Sequence, residues 1–283
     1  MSIKIIADST CDLSPELIKK YDIGIIPLHI IMDGQSFDDG VNVTPDDIFK
    51  WSEETKNTPG TSSSSMMEII DVYKEYLKTY DYLLCFSISR KFSGSYNMMR
   101  SAARELDALD RIYVINSKNL CSAIGLLIIK AKEMVDKGKE IEEIYAKIRD
   151  MRPYVNSSFV VDTLDYLHRG GRCSDAAHLL GVALKMHPKI IVEEGEMRVS
   201  KKYRGNMKRV HREYLEDLKD ELKKARKERV FLSYSGDYPD DLDEIRDILY
   251  KKYRFKEVLV TRAGGVISSH CGPGTMAIFF MEK

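Results

Sequence analysis

Short apolar runs alternate with amphipathic stretches along the first 150 residues, and that alternation admits few architectures. Ile3 to Ala7 is a short apolar run of the kind that forms a buried strand. Ser14-Pro15-Glu16 then starts a helix, with a hydroxyl cap, a proline at the first helical position and an acid behind it. Gly24 to Ile31 is a second apolar run, and Thr44-Pro45-Asp46-Asp47 starts a second helix. Ser65 and Glu68 form a capping box ahead of Ile69, Val72, Tyr73, Tyr76 and Leu77. Tyr82 to Phe86 reads as a strand, Ser95 to Leu109 as a helix, Arg111 to Ile115 as a strand, and 121–137 and 140–150 as helices. Strands alternating with helices imply a mostly parallel sheet covered on both faces.

The pattern changes near residue 155. Phe159-Val160-Val161 is a short strand, and 162–172 is a turn-rich segment with paired glycines. Lys189 to Val192 and Met197 to Ser200 read as a hairpin around Glu194-Gly195-Glu196. Residues 206–226 read as one long helix, with Met207, Val210, Tyr214, Leu218 and Leu222 on one face. Val230 to Tyr234, Glu257 to Thr261 and Met276 to Phe280 are expected strands, with a helix over Asp240 to Tyr253. The expected class is α/β in two domains: an N-terminal one over 1–155 with a mostly parallel sheet, and a second α/β domain over 156–283. A chain of 283 residues is long enough for both.

Charge narrows the function classes. Basic and acidic residues number 44 each, which argues against a nucleic-acid binder relying on a general positive field. Residues 198–229 hold thirteen Lys or Arg against six Asp or Glu, most simply a solvated helix face, with a docking surface for an acidic partner as the sharper alternative. No apolar run approaches the roughly 20 residues of a membrane span, so no integral membrane segment is expected. The N-terminus turns acidic too soon for a signal peptide. Cys11, Cys85, Cys121, Cys173 and Cys271 are scattered, which fits a reducing cytoplasm better than a disulfide framework or a zinc site.

Two hydroxyl-rich segments sit where such a sheet places its ligands. Thr61-Ser62-Ser63-Ser64-Ser65 follows Pro59-Gly60, and Ser87-Ile88-Ser89-Arg90-Lys91-Phe92-Ser93-Gly94-Ser95-Tyr96 follows an apolar run. Each leads into a helix, whose N-terminus suits an anion. Ser65 reads as a helix cap. Capping needs one hydroxyl rather than five, which favours ligand contact by Thr61 or Ser62. Ser93 is another candidate cap, and Gly94 beside it would let backbone approach a ligand. Ser87 and Ser89 would share one face of a strand end, at the crevice where open α/β sheets bind.

His270-Cys271-Gly272-Pro273-Gly274 reads as a glycine-rich turn whose histidine could donate to an anion. Arg169 and Arg172 frame two glycines; each could clamp a carboxylate, and a salt bridge to Asp162, Asp165 or Asp175 is the simpler reading. His29, His168, His178, His187 and His211 share no metal-like spacing. Asp8-Ser9-Thr10 is a faint echo of aspartyl-phosphate chemistry without its second aspartate. No phosphate-loop, dinucleotide, nucleophile-elbow or zinc-protease motif occurs. No serine stands beside an obvious base, so the hydroxyls read as binders rather than nucleophiles.

With these segments in hand, the chain resembles the DegV family of fatty-acid-binding proteins. The resemblance rests on Ala7 to Leu13; Thr61 to Ser65; Ser89 with Phe92 to Asn97; Asp162-Thr163-Leu164 through Arg169-Gly170-Gly171-Arg172; and Arg262-Ala263-Gly264 with His270 to Gly274. It implies two α/β domains with a long-chain fatty acid between them and no cofactor. The carboxylate would be held at Thr61 and Ser93, supported by His270 and Arg172 and flanked by Ser62 and Gly94. The acyl chain would lie in an apolar tunnel beneath the second domain. It further implies a carrier, not an enzyme, that presents the acid to a separate ATP-dependent kinase subunit forming the acyl phosphate. The unbroken serine run, Ser95 in place of threonine and Cys271 in place of threonine depart from the family pattern. The alternatives are an acyl transferase or thioesterase using Ser93 or Cys271, and a binder of small phosphorylated ligands.

Overall fold

The computed structural model describes residues 2–173 and 186–283; Asp175 and His178 lie outside these. Four strands form an all-parallel sheet in the order Ile23–Ile26, Ile3–Asp8, Tyr82–Ser87, Ile112–Asn116. Ile5 stands opposite both Ile23 and Leu84, so apolar residues stack across the sheet on one face. The connecting helices start as their sequences direct. Ser14 caps Pro15–Tyr21, and Thr44 and Ser65 build full capping boxes on Pro45–Thr55 and Met66–Leu77.

Six strands form a second sheet in the order Glu196–Arg204, Met186–Glu193, Val155–Val160, Thr275–Met281, Arg229–Ser235, Glu257–Arg262. Its pairs are antiparallel except the last, which is parallel. Helix Ser122–Val135 lies between the sheets and touches strands of both. Every residue from Ser122 to Ile129 is buried, as expected of a helix with apolar neighbours all round. At Gly125 a Cβ would come within 2.7 Å of Leu13 Cδ2, so only glycine lets this helix seat so deeply.

Five expectations change. The run Gly24 to Ile31 is two strands split at Pro27, and His29–Met32 joins Gln35–Asp38 and Gly60–Ser62 in a separate three-stranded antiparallel sheet. Proline cannot donate to a ladder, so the chain leaves one sheet there. Residues 206–226 are two helices, Met207–Asp217 and Lys219–Lys224, broken at Leu218, while Leu218 and Leu222 both stay buried. The segment 162–172 contains a short helix, Asp165–Gly170, closed by Gly171 in the left-handed conformation. His270 sits not in a turn but near the end of helix Gly265–Cys271. The helix from Ser95 also stops early, at Glu105.

Candidate ligand site

The hydroxyl segments converge, and the serine run divides its labour. Thr61 occupies an edge strand of the three-stranded sheet, opposite Ile30. Its Oγ1 lies 2.9 Å from His270 Nε2. Ser62 and Ser63 line the cavity beside it. Ser64 turns away and donates to the Pro27 carbonyl at 2.5 Å, and Ser65 caps its helix. On the other side, Ser93 Oγ lies 2.8 Å from Ser95 Oγ and accepts the Ser95 N–H at 3.2 Å. Gly94, not Ser93, is the N-cap of Ser95–Glu105. Gly94 has ordinary backbone angles, and a Cβ there would meet only Ser63 Oγ, at 3.7 Å.

All six sequence-predicted residues line one cavity: Thr61, Ser62, Ser93, Gly94, Arg172 and His270. Its free space is about 100 Å³. The rest of its wall is largely apolar, from Leu28, Ile88, Phe92, Leu120, Met197 and Ile267. A second, narrower space shares Leu120, Ile267 and Cys271 with it and runs on toward Phe159 and Phe279 of the six-stranded sheet. One end of the whole is thus hydroxylated and the other greasy.

The donors around Thr61 are neutral, with the Arg172 guanidinium nearby in the wall. Burial, reinforced by the nearby Arg172 charge, pushes His270 down to about 4, so its imidazole is uncharged at neutral pH. Its Nδ1 is buried without a partner and faces Gly170, where a Cβ would stand only 2.2 Å away. A buried unpaired N–H is rare, so the ring proton belongs on Nε2, donated to Thr61 Oγ1. That leaves the Thr61 O–H free to donate into the cavity.

The remaining contacts separate scaffold from site. Ser87 donates to the Ile88 carbonyl and Ser89 to the Gly195 carbonyl, so both hold the scaffold and neither lines the cavity. Arg172 donates from Nη1 to the Gly170 carbonyl at 2.6 Å, and Arg169 to the Lys56 carbonyl at 3.4 Å. Among the described residues neither pairs with Asp162 or Asp165; backbone carbonyls take their guanidinium donors instead. Asp8 is fully buried, accepts from Ile88 N at 2.9 Å and Thr10 Oγ1 at 2.5 Å, and is pushed up to about 6 by burial. It braces two strand ends and is closed to any phosphate donor. Cys271 is buried and pushed up to about 12, hence a thiol and not a thiolate, and no base among the described residues hydrogen-bonds to it or to Ser93. In the basic stretch, Lys201–Asp217, Arg209–Glu213, Arg212–Glu244 and Lys219–Glu216 pair on the surface, as a solvated face would. Among the described residues, no cluster could hold a metal ion and no helix is long and apolar enough to cross a membrane.

Known proteins give this geometry a context. The model of the DegV family, described as uncharacterised proteins, matches residues 2–283. A DegV domain-containing protein of Caldanaerobacter subterraneus is 34% identical over 281 residues, covering 99% of each chain. A fatty acid-binding protein of Thermotoga maritima is 31% identical over 283 residues, covering 98% of this chain and 96% of its own. Among solved structures, a DegV family protein from Thermus thermophilus, described for its fatty acid binding, superposes with a TM-score of 0.92 at 30% identity, covering all of both chains.

Proposed function

The chain belongs to the DegV family, and we propose that it binds a long-chain fatty acid between its two larger sheets. The observation that carries this reading is the convergence of Thr61, Ser93 and His270 at the polar end of an otherwise apolar cavity. In the proposed complex, Thr61 and Ser93 donate to the carboxylate, with Ser62 and Gly94 beside it and His270 and Arg172 as support. The acyl chain runs past Leu120 and Ile267 toward Phe159 and Phe279. Ligand sites usually span roughly 300–1,000 Å³, so the tail joins the two spaces by turning the side chains that divide them. Residues 1–155 then form the domain that holds the head group, and 156–283 the domain that covers the tail.

Energetics assign each end its part. A buried CH₂ contributes about 0.8 kcal/mol, so roughly fourteen of them supply about 11 kcal/mol before the costs of association. A hydrogen bond to a charged group adds about 1.5–3 kcal/mol. The tail therefore sets affinity, and the hydroxyls set orientation. Neutral donors hold the carboxylate less tightly than an arginine clamp would. That suits a carrier, working without cofactor in the cytoplasm, which hands the head group to an ATP-dependent kinase subunit for acyl-phosphate formation. That no base among the described residues hydrogen-bonds to Ser93 or Cys271 supports a carrier over an acyl transferase. Denaturing mass spectrometry of the purified protein is expected to release a long-chain fatty acid. A ligand-free protein that also takes up neither palmitate nor oleate would sink the proposal.

A further inference from the structure

Two segments singled out in the sequence have no part in the site so far: Asp8 to Asp12 at the first strand end, and Ala263-Gly264-Gly265 near the C-terminus. They meet in the structure. Asp12 Oδ1 accepts the Gly264 N–H at 3.0 Å, and Asp39 Oδ1 accepts the Gly265 N–H at 2.7 Å. Both carboxyls are buried, at 5% and 3% exposure. They come from the first 40 residues, and the amides they hold open helix Gly265–Cys271, which carries His270. Glycine permits this approach at both positions: a Cβ at 264 would stand 2.8 Å from Asp12 Oδ1, and one at 265 would stand 2.8 Å from Asp39 Oδ1 and 2.5 Å from Ile30 Cδ1. Asp39 is itself fixed, because its Oδ2 accepts from Ser9 Oγ at 2.8 Å and its N–H donates to the Leu28 carbonyl at 2.9 Å.

The first N–H groups of a helix have no intrahelical acceptor, and burial makes leaving them unpaired expensive. Whatever accepts them fixes where the helix begins. A seven-residue helix is short and stiff, so fixing its start fixes its end, and His270 lies one residue from that end. The His29–Met32 strand, which pairs with the Thr61 strand, follows Leu28 directly. The same anchor thus spans both partners of the Thr61–His270 contact. We propose that Asp39, with Asp12, is a positioning residue for head-group recognition: it sets the register of His270 against Thr61, and so the direction of the Thr61 O–H. This rests on the fatty-acid reading above.

Selectivity for the acid over its ester distinguishes positioning from bulk stability. Palmitate and methyl palmitate binding is measured for the wild type, Asp39→Ala, Asp39→Asn, and Asp39→Ala in a His270→Ala background. Asp39→Ala is expected to weaken palmitate by about tenfold, the worth of one hydrogen bond, and to leave the ester unchanged. Asp39→Asn, which keeps an acceptor for Gly265, is expected to restore most of the loss. With His270 already removed, Asp39→Ala should cost palmitate nothing more. Should Asp39→Ala not fold, Ser9→Ala withdraws the hydroxyl on Asp39, together with the acceptor of the Leu28 N–H, leaves the Asp39–Gly265 bond in place, and is expected to give a smaller loss confined to the acid. Equal losses for acid and ester, or the same loss with and without His270, overturn the proposal. A wild type that binds palmitate alongside such unselective variants loses only this inference, whereas a wild type that binds no palmitate loses the function itself.

Discussion

A histidine kept uncharged by its surroundings behaves as a fixed hydrogen-bond donor. His270 is pushed down to about 4 by burial, and Arg172 adds to the shift. The unfolded chain would bind a proton at this residue near pH 6.5. Its contribution to stability is therefore present above that pH and is lost as pH falls toward 4. NMR of the ring is expected to show no titration of His270 between about pH 5.5 and 8, with the proton on Nε2. A midpoint near 6.5, or a proton on Nδ1, would break the chain that frees the Thr61 hydroxyl. At this scale the sequence was partly legible. Thr61, Ser93 and His270 could be picked out as side chains able to hold an anion, and Ser65 because its capping box is spelled out locally. The Thr61–His270 contact joins residues 209 apart, and nothing local encodes it. The same holds for Asp39, whose partner amide is 226 residues away.

Helices with regular amphipathic patterns or a side-chain cap were readable, and the short ones without a cap were not. Asp165–Gly170 is six residues long, less than two turns, so its apolar positions never establish a period. Its two glycines looked like a turn, and only one of them is. Gly171 adopts the left-handed conformation that ends the helix, whereas Gly170 leaves room for a neighbour. The break at Leu218 was hidden for the opposite reason, because the apolar face continues in register across it. The role of Gly170 makes a prediction about packing between elements. A methyl there would overlap the His270 ring, and overpacking of this kind costs about 1–3 kcal/mol. Gly170→Ala is expected to lower stability by that amount in denaturant titrations and to weaken palmitate by about tenfold, as the ring swings off Thr61. Full palmitate affinity in this variant would mean that His270 does not need its present seat.

Two large sheets enclose a buried helix, a small third sheet carries Thr61, and the proposed ligand occupies the seam. The α/β class and the parallel first sheet followed from alternation in the sequence. The antiparallel order of the second sheet did not, since strand order depends on pairings between distant segments. The apolar wall of the cavity was equally silent: Leu28, Ile88, Leu120, Met197 and Ile267 come from separate segments, and each reads alone as ordinary core. A tail lying along that wall makes affinity a property of the seam rather than of any residue. Shortening the acid from sixteen carbons to twelve removes four CH₂ groups, about 3 kcal/mol, or roughly a 200-fold loss in affinity. Ser93→Ala removes one donor to a charged group, about 1.5–3 kcal/mol, and is expected to cost roughly 10- to 150-fold in affinity, less than the shortened tail. In a reconstituted reaction with a fatty acid kinase subunit, the order should reverse. On the proposed hand-over, orientation of the carboxylate limits transfer, so Ser93→Ala should slow turnover at saturating palmitate, while shorter acids, once bound, should turn over normally. Titrating the acid series and then measuring turnover separates the two. Affinity indifferent to chain length would move the ligand out of the seam and favour a small anion at the hydroxyls instead.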